Sequence, residues 1–119
     1  MEKFEVVRND SETVSVLNIR GYLDAHTAPD FEDAINRLID ENRYKIVVDL
    51  TGLQYISSAG LGVFMGFIEE IRQHSGDIKL SSASPKVYKV FDLLGFPSLY
   101  EFYEKLDDAV FKFNNDEGK

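Results

Sequence analysis

Hydrophobic and polar residues alternate along this chain, and the period of the alternation changes from one segment to the next. Short runs rich in β-branched and aromatic residues predict five strands, at 4–7, 14–19, 45–50, 78–80 and 99–102. The polar residues 9–12 separate the first two runs and are typical of a hairpin turn, so we expect these two strands to be antiparallel. The apolar run at 45–50 is typical of a central strand covered on both faces.

Apolar residues at helical spacing predict four helices, which begin near Thr27, Ser58, Ser84 and Leu106. Thr27, followed by Asp30 in the first turn, is typical of a capping box. Ser58 is predicted to be the N-cap of the second helix. We expect Met65 of the second helix and Leu94 of the third to lie on the buried faces of those helices.

The order of these elements predicts the fold class. Strands and helices alternate after an opening hairpin, which indicates a single α/β domain with a mixed sheet and right-handed crossovers. The domain is predicted to span residues 1–113. Residues 114–119 are acidic and rich in Asn, and we expect them to form a flexible tail.

Composition narrows the classes of partner. The 119 residues include 13 basic and 21 acidic side chains, giving a net charge of −8, which disfavours binding to nucleic acids and to anionic membranes. No run approaches the ~20 apolar residues that a membrane helix needs, and the chain has no cysteine. We therefore expect a cytoplasmic monomer without cofactor or metal.

The segment 49–62, which joins the central strand to the second helix, carries the most informative chemistry. Ser57 and Ser58 place two hydroxyls at a helix start, where backbone N–H groups lack partners and the helix dipole is positive. A phosphate on Ser58 would be stabilised there. The simpler alternative is that Ser58 only caps the helix, and spacing alone does not exclude it.

Three segments of the chain resemble the STAS-domain family of anti-sigma-factor antagonists. The run Tyr-Ile-Ser-Ser-Ala-Gly-Leu-Gly-Val at 55–63 resembles the family's signature at the phosphorylated serine. Residues 21–28 resemble the loop between the family's second strand and first helix, and residues 84–95 resemble its third helix. The resemblance spans nearly the whole chain and implies the mixed sheet and about four helices of a STAS-like domain.

The resemblance also implies a function and a site. In this family the unphosphorylated domain binds a serine-kinase anti-sigma factor, is inactivated when that kinase phosphorylates it, and is restored by a serine phosphatase. The domain would then be a ligand and a substrate and not an enzyme. Aligned on the motif, the phosphorylated residue is Ser58, and the partner-binding residues are Asp24, Thr27, Ser57, Ser58, Ala59, Gly60, Leu61 and Gly62.

The chain departs from the family pattern beside the phosphorylation site. Many members have an acidic residue before the phosphoserine and Ser or Thr after it, whereas this chain has Ser57 and Ala59. Ser57 is therefore a rival acceptor. The functional alternative is a constitutive scaffold or a small-ligand-binding STAS module in which Ser58 is never phosphorylated.

Enzymatic alternatives have little support in the sequence. Asp24, His26 and Ser58 would need to converge to form a hydrolytic triad, and the motif Gly-x-Ser-x-Gly is absent. The glycines at 60, 62 and 66 imitate a dinucleotide-binding fingerprint, but that motif needs a tight turn after a strand. About nine residues separate the predicted strand end from Gly60, so we expect close helix packing to explain these glycines.

Overall fold

The computed structural model describes residues 3–116 of the chain. Its strands are β1 (Glu5–Asp10), β2 (Ser15–Leu23), β3 (Lys45–Ile56), β4 (Asp77–Ser81) and β5 (Phe102–Tyr103). Its α-helices are α1 (Ala28–Asp40), α2 (Ser58–Gln73), α3 (Pro85–Leu93) and α4 (Leu106–Asp116), and a 3₁₀ turn (Phe96–Ser98) follows α3.

The strands form one mixed sheet in chain order, β1-β2-β3-β4-β5. β1 and β2 form the antiparallel hairpin, and the other neighbouring pairs are parallel. The predicted α/β class, with its opening hairpin and about four helices, is confirmed.

The sheet lies between two layers of helices, and alternate side chains of its strands face one layer or the other. Ile46, Val48 and Leu50 of β3 share a cluster with buried residues of α1, α2 and α3, whereas Val47 points to the opposite face and packs with α4. β3 is therefore covered on both faces over 46–50, as predicted. At the centre of the larger cluster the ring of Phe64 lies 5.1 Å from that of Phe31, measured between centroids.

Three strands extend further than their hydrophobic patterns indicated. β1 runs to Asp10, so the first two residues of the predicted turn at 9–12 belong to the strand. β2 continues to Leu23 and β3 continues to Ile56, although each contains a glycine. The pairing between them shifts register twice, and a Cβ at Gly52 would lie 2.7 Å from the Cβ of Arg20. Gly52 is thus required by close approach of the strands, and this contact across the sheet is invisible to a local pattern.

Some predictions about buried faces and element ends were wrong. Met65 and Leu94 are 48% and 59% exposed, because the core-facing stripes are completed by other residues of their helices. β5 begins at Phe102 and not near 99. α4 continues to Asp116, three residues into the predicted tail, and 117–119 lie outside the described residues. In residues 3–116 no helix has the length and apolar character needed to cross a membrane.

Candidate functional site

A single residue joins β3 to α2 at the carboxyl end of the parallel strands. Ser57 lies between Ile56, which ends β3, and Ser58, which begins α2. The backbone N–H of Ser57 donates to the carbonyl oxygen of Leu23 at 2.9 Å, where β2 ends. This bond ties the loop before α1 to the start of α2.

The two adjacent serines have different positions at the helix start. Ser57 is the N-cap, with extended backbone angles, and its Oγ accepts from the N–H of Gly60 at 3.4 Å. Ser58 is the first residue of α2, is exposed, and its hydroxyl makes no hydrogen bond with any residue of 3–116. The prediction that Ser58 is the N-cap was therefore wrong by one residue, because β3 runs on to Ile56 and places Ser57 at the corner.

Gly60 lets the first turn of α2 pack onto the strand ends. A Cβ at this position would lie 2.7 Å from Cγ of Leu23 and 2.9 Å from Cγ1 of Ile56. Such distances leave no room for a side chain. Close packing, the predicted reason for the glycine, is confirmed at Gly60.

The loop between β2 and α1 is held by Asp24. Oδ1 of its carboxylate accepts from the backbone N–H of His26 at 3.0 Å and from that of Thr27 at 3.1 Å. The hydroxyl of Thr27 donates to the carbonyl oxygen of Tyr22 at 2.8 Å and accepts from the N–H of Asp24 at 2.9 Å. The predicted capping box is wrong, because the side chain of Thr27 faces back into the loop and makes no cap hydrogen bond to α1.

The eight predicted partner-binding residues differ in accessibility. Ser58 and Gly62 are exposed, whereas Asp24, Thr27, Ser57 and Ala59 are half-buried. Gly60 and Leu61 are buried, and the Leu61 side chain belongs to the core shared by α1, α2 and α3. Because Gly60 and Leu61 are buried, only the other six residues are accessible to direct contact with another molecule.

The sequence did not reveal the exposed face of α2. Gly62 and Gly66 are exposed, and a Cβ at either position would meet no atom within 4 Å. The prediction that close helix packing requires these two glycines was therefore wrong. The exposed side chain of Met65 lies between them in the sequence. The signal that could have found this face is the pair of glycines four residues apart in a helix, where glycine is unfavourable.

The enzymatic alternatives gain no support from the geometry. Asp24 uses Oδ1 for the backbone of His26 and Thr27, which is a loop-stabilising arrangement. The turn after β3 is tight, contrary to the expected gap of about nine residues, yet Gly60, Gly62 and Gly66 all lie inside α2 and not in that turn. Residues 3–116 contain no group of three or more His, Asp or Glu side chains placed to hold a metal ion.

Comparisons of the sequence with a family model and with curated proteins agree on one family. The STAS domain model matches residues 5–109. An anti-sigma-B factor antagonist of Listeria monocytogenes is 28% identical over 97 residues, covering 82% of this chain and 84% of the relative.

Solved structures of similar proteins match nearly the whole chain. An anti-sigma factor antagonist from Mycobacterium paratuberculosis superimposes with a TM-score of 0.84 at 25% identity, over 92% of this chain and 93% of that protein. The anti-sigma factor antagonist SpoIIAA in its unphosphorylated form gives a TM-score of 0.80 at 22% identity, over 95% of this chain and 97% of SpoIIAA. Its phosphorylated form, from Bacillus, gives 0.71 at 21% identity, over 93% and 99% of the two chains.

Proposed function

Because this chain belongs to the STAS domain family, we propose that it is an anti-sigma factor antagonist that is switched off by phosphorylation of Ser58. In this proposal the unphosphorylated chain binds a serine-kinase anti-sigma factor, and a serine phosphatase restores it. The names of the curated relatives support the antagonist role. The Bacillus relative SpoIIAA, whose structure is known in a phosphorylated form, supports a phosphoswitch in a protein of this fold.

The choice of Ser58 as the acceptor rests on the different positions of the two serine hydroxyls at the start of α2. The hydroxyl of Ser57 is occupied as the cap of the helix, whereas that of Ser58 is exposed and makes no hydrogen bond within residues 3–116. A kinase needs a hydroxyl that is accessible and that can be deprotonated without the loss of a hydrogen bond that stabilises the folded substrate. Ser58 meets that requirement at no cost to the helix cap.

A phosphate on Ser58 would change the site mainly through its charge. It would add about −1.5 to −2 charges and three acceptor oxygens at a surface that already contains Asp24. Leu23 and Ser57, the residues immediately before Asp24 and Ser58, are joined by a backbone hydrogen bond, so the loop that begins at Asp24 lies next to the start of α2. A partner that approaches with positive charge towards Asp24 would meet a different surface after phosphorylation, without any refolding of the domain.

The proposal is tested by incubating the full chain with a purified serine-kinase anti-sigma factor from the same genome, Mg²⁺ and ATP. Intact-mass spectrometry is expected to show one added phosphate, and peptide mapping is expected to place it on Ser58. The Ser58→Ala variant should accept no phosphate and should bind the kinase whether or not ATP is present. Ser58→Asp should bind at least about tenfold more weakly, which corresponds to about 1.4 kcal/mol.

Ser57→Ala is the matched control, because it removes the adjacent hydroxyl and leaves Ser58 in place. It should still accept one phosphate. Mapping of the phosphate to Ser57 in the wild-type chain would show that the acceptor is the neighbouring residue. Absence of phosphate on both serines, together with wild-type binding by Ser58→Asp, would replace the proposal with the scaffold or ligand-binding alternative.

A further inference from the structure

A surface cavity lies where the start of α3 meets the strand β5. Its volume is about 380 Å³, and its lining residues are Ala83, Pro85, Tyr88, Phe102, Tyr103 and Glu104. These residues follow β4, or belong to β5 and the residue after it, so the cavity lies at the carboxyl ends of these two parallel strands. None of the eight predicted partner-binding residues lines the cavity, and it is therefore separate from the site at Ser57 and Ser58.

Two of the lining residues have aromatic rings that contact each other. The ring centroids of Tyr88 and Phe102 are 5.2 Å apart, and the ring planes are inclined at 85°. Phe102 also contacts the buried ring of Phe91, whereas Tyr88 is 37% exposed. The third aromatic lining residue, Tyr103, packs instead with the cluster beneath α4. Because the face of an aromatic ring is electron-rich, it attracts a cation that comes within about 6 Å of its centroid.

The carboxylate of Glu104 has no partner inside the described part of the chain. Glu104 is exposed and makes no hydrogen bond or ion pair with any residue of 3–116. Glu101, by contrast, accepts from Nζ of Lys79 at 3.0 Å. Lys86 and Lys105 are chain neighbours of lining residues, but no Lys, Arg or His among residues 3–116 lines the cavity itself. Glu104 therefore gives the cavity a negative charge that no lining residue balances.

We propose that this cavity binds a small organic cation, with its ammonium group against the rings of Tyr88 and Phe102 and beside the carboxylate of Glu104. Aromatic rings are a common means by which proteins recognise ammonium groups, and a carboxylate adds the attraction of opposite charges. The cavity is a second site, and its assignment does not rest on the proposed function.

Other small ligands suit the lining less well. An anion would approach Glu104 with no lining cation to pair with. A divalent metal ion is usually held by about six oxygen ligands, and only one carboxylate lines the cavity. A cation is also favoured at a distance, because the net charge of −8 attracts cations to the surface of the protein.

The test titrates the full chain, labelled with the heavy nitrogen isotope, with choline at physiological salt and follows the backbone amide shifts by NMR. Dimethylbutanol, in which a carbon atom replaces the ammonium nitrogen of choline, is the matched neutral ligand. Choline is expected to bind saturably, with its largest shifts in the segments 83–88 and 102–104. The Kd of the neutral alcohol should be at least about tenfold higher.

Two substitutions distinguish the contribution of the charge from that of the ring. Glu104→Gln keeps the shape of the side chain and removes its charge, so it should raise the Kd for choline about threefold or more and leave the Kd for dimethylbutanol unchanged. Tyr88→Leu keeps an apolar side chain and removes the ring, so it should raise the Kd for choline about tenfold. Glu104→Gln changes an exposed position, and it keeps the test decisive if Tyr88→Leu does not fold.

Glu32→Gln is the matched control. Glu32 is an exposed carboxylate of α1 that does not line the cavity, so this substitution makes the same change in net charge at another place. It should leave the Kd for choline unchanged. Amide spectra of the free variants establish that each of them is folded.

The results that would overturn the proposal are distinct. Equal affinity for choline and dimethylbutanol would show that the cavity recognises apolar shape and not charge. Shifts that do not saturate, or that spread over the acidic residues of α1, would show diffuse attraction of counter-ions. An equal loss of affinity in Glu32→Gln and Glu104→Gln would show that net charge alone attracts the ligand. Phosphorylation of Ser58 takes no part in this experiment, so the proposed function stands or fails separately.

Discussion

Ser57 and Ser58 differ by one position in the chain and by their whole chemical environment. Ser57 is extended and its Oγ accepts from the backbone of Gly60, whereas Ser58 is already helical and exposed. The residue that caps the helix is thus separate from the residue proposed to be phosphorylated. A chemical change at Ser58 does not remove the cap.

This separation predicts unequal effects of alanine on stability. Ser57→Ala should lower the free energy of unfolding by about 1 kcal/mol, because it removes an N-cap. Ser58→Ala should change it by less than about 0.5 kcal/mol, as is usual for an exposed position. Urea denaturation of both variants provides the comparison. Equal losses, or a larger loss for Ser58→Ala, would contradict the assignment of Ser57 as the cap.

Asp24 has a loop-stabilising contact that the sequence did not suggest. One oxygen of its carboxylate accepts from the N–H groups of His26 and Thr27. An Asn at this position retains the acceptor oxygen and loses the charge, whereas an Ala loses both. Comparing the two substitutions therefore distinguishes the contribution of Asp24 to loop conformation from the contribution of its negative charge.

We expect Asp24→Ala to speed amide hydrogen exchange at His26 and Thr27, and Asp24→Asn to leave it near the wild-type rate. The reason is that only Ala leaves these N–H groups without their side-chain acceptor. Partner binding should weaken in both variants if the negative charge is recognised. Wild-type affinity of Asp24→Asn together with weak binding of Asp24→Ala would show that Asp24 acts through loop position alone.

The helix α2 contains three glycines in two kinds of environment. Gly60 is pressed against Leu23 and Ile56, while Gly62 and Gly66 face open space. Glycine inside a helix is less favourable than alanine by roughly 0.5–1 kcal/mol. The helix therefore carries a stability cost at 62 and 66 that nothing within the domain explains.

Alanine substitutions in α2 should consequently have opposite signs. Gly62→Ala and Gly66→Ala should each raise the free energy of unfolding by roughly 0.5–1 kcal/mol. Gly60→Ala should lower it by about 1–3 kcal/mol, because its Cβ would collide with Leu23 and Ile56. Denaturant midpoints of the three variants provide the measurement, and destabilisation at position 62 or 66 would contradict the open space assigned there.

At the scale of the whole molecule, a network of ion pairs links β1 to the end of α1. Arg8 contacts Asp10 at 2.8 Å and Glu41 at 2.7 Å. The hydrogen bond from Arg8 lowers the pKa of the Asp10 carboxyl and that of the Glu41 carboxyl below their usual values. On the other side of the sheet, burial alone would raise the pKa of Glu101, but hydrogen bonds from Tyr103 and Lys79 outweigh it and lower the pKa.

These three pKa shifts predict that the domain loses stability in acid. A carboxyl whose pKa is lower in the folded than in the unfolded chain contributes stability above its unfolded pKa of about 4, and loses that contribution as the pH falls through the folded value. The urea midpoint should thus fall between about pH 5 and pH 3. Arg8→Gln should flatten this dependence, while Arg37→Gln, which removes another surface guanidinium, should retain it. A midpoint independent of pH over this range would contradict the network's contribution.

Local patterns in the sequence were sufficient for the architecture. Alternation with a period of two, stripes at helical spacing and polar turn residues depend on neighbours in the chain, so they predicted the existence of the strands, the hairpin, the four helices and the α/β class. The motif at 55–63 also identified the segment that joins β3 to α2 as the candidate site.

The details of the candidate site depended on contacts between distant segments. β3 continues to Ile56 because β2 pairs with it beyond Gly52, and this pairing moves the helix cap from Ser58 to Ser57. The Thr27 hydroxyl turns into the loop because Tyr22 and Asp24 offer it partners there. Met65 is exposed for a related reason, since the core beneath α2 is filled by other side chains. A helical period identifies a stripe, but its width and the residues at its edges are set by what packs against it.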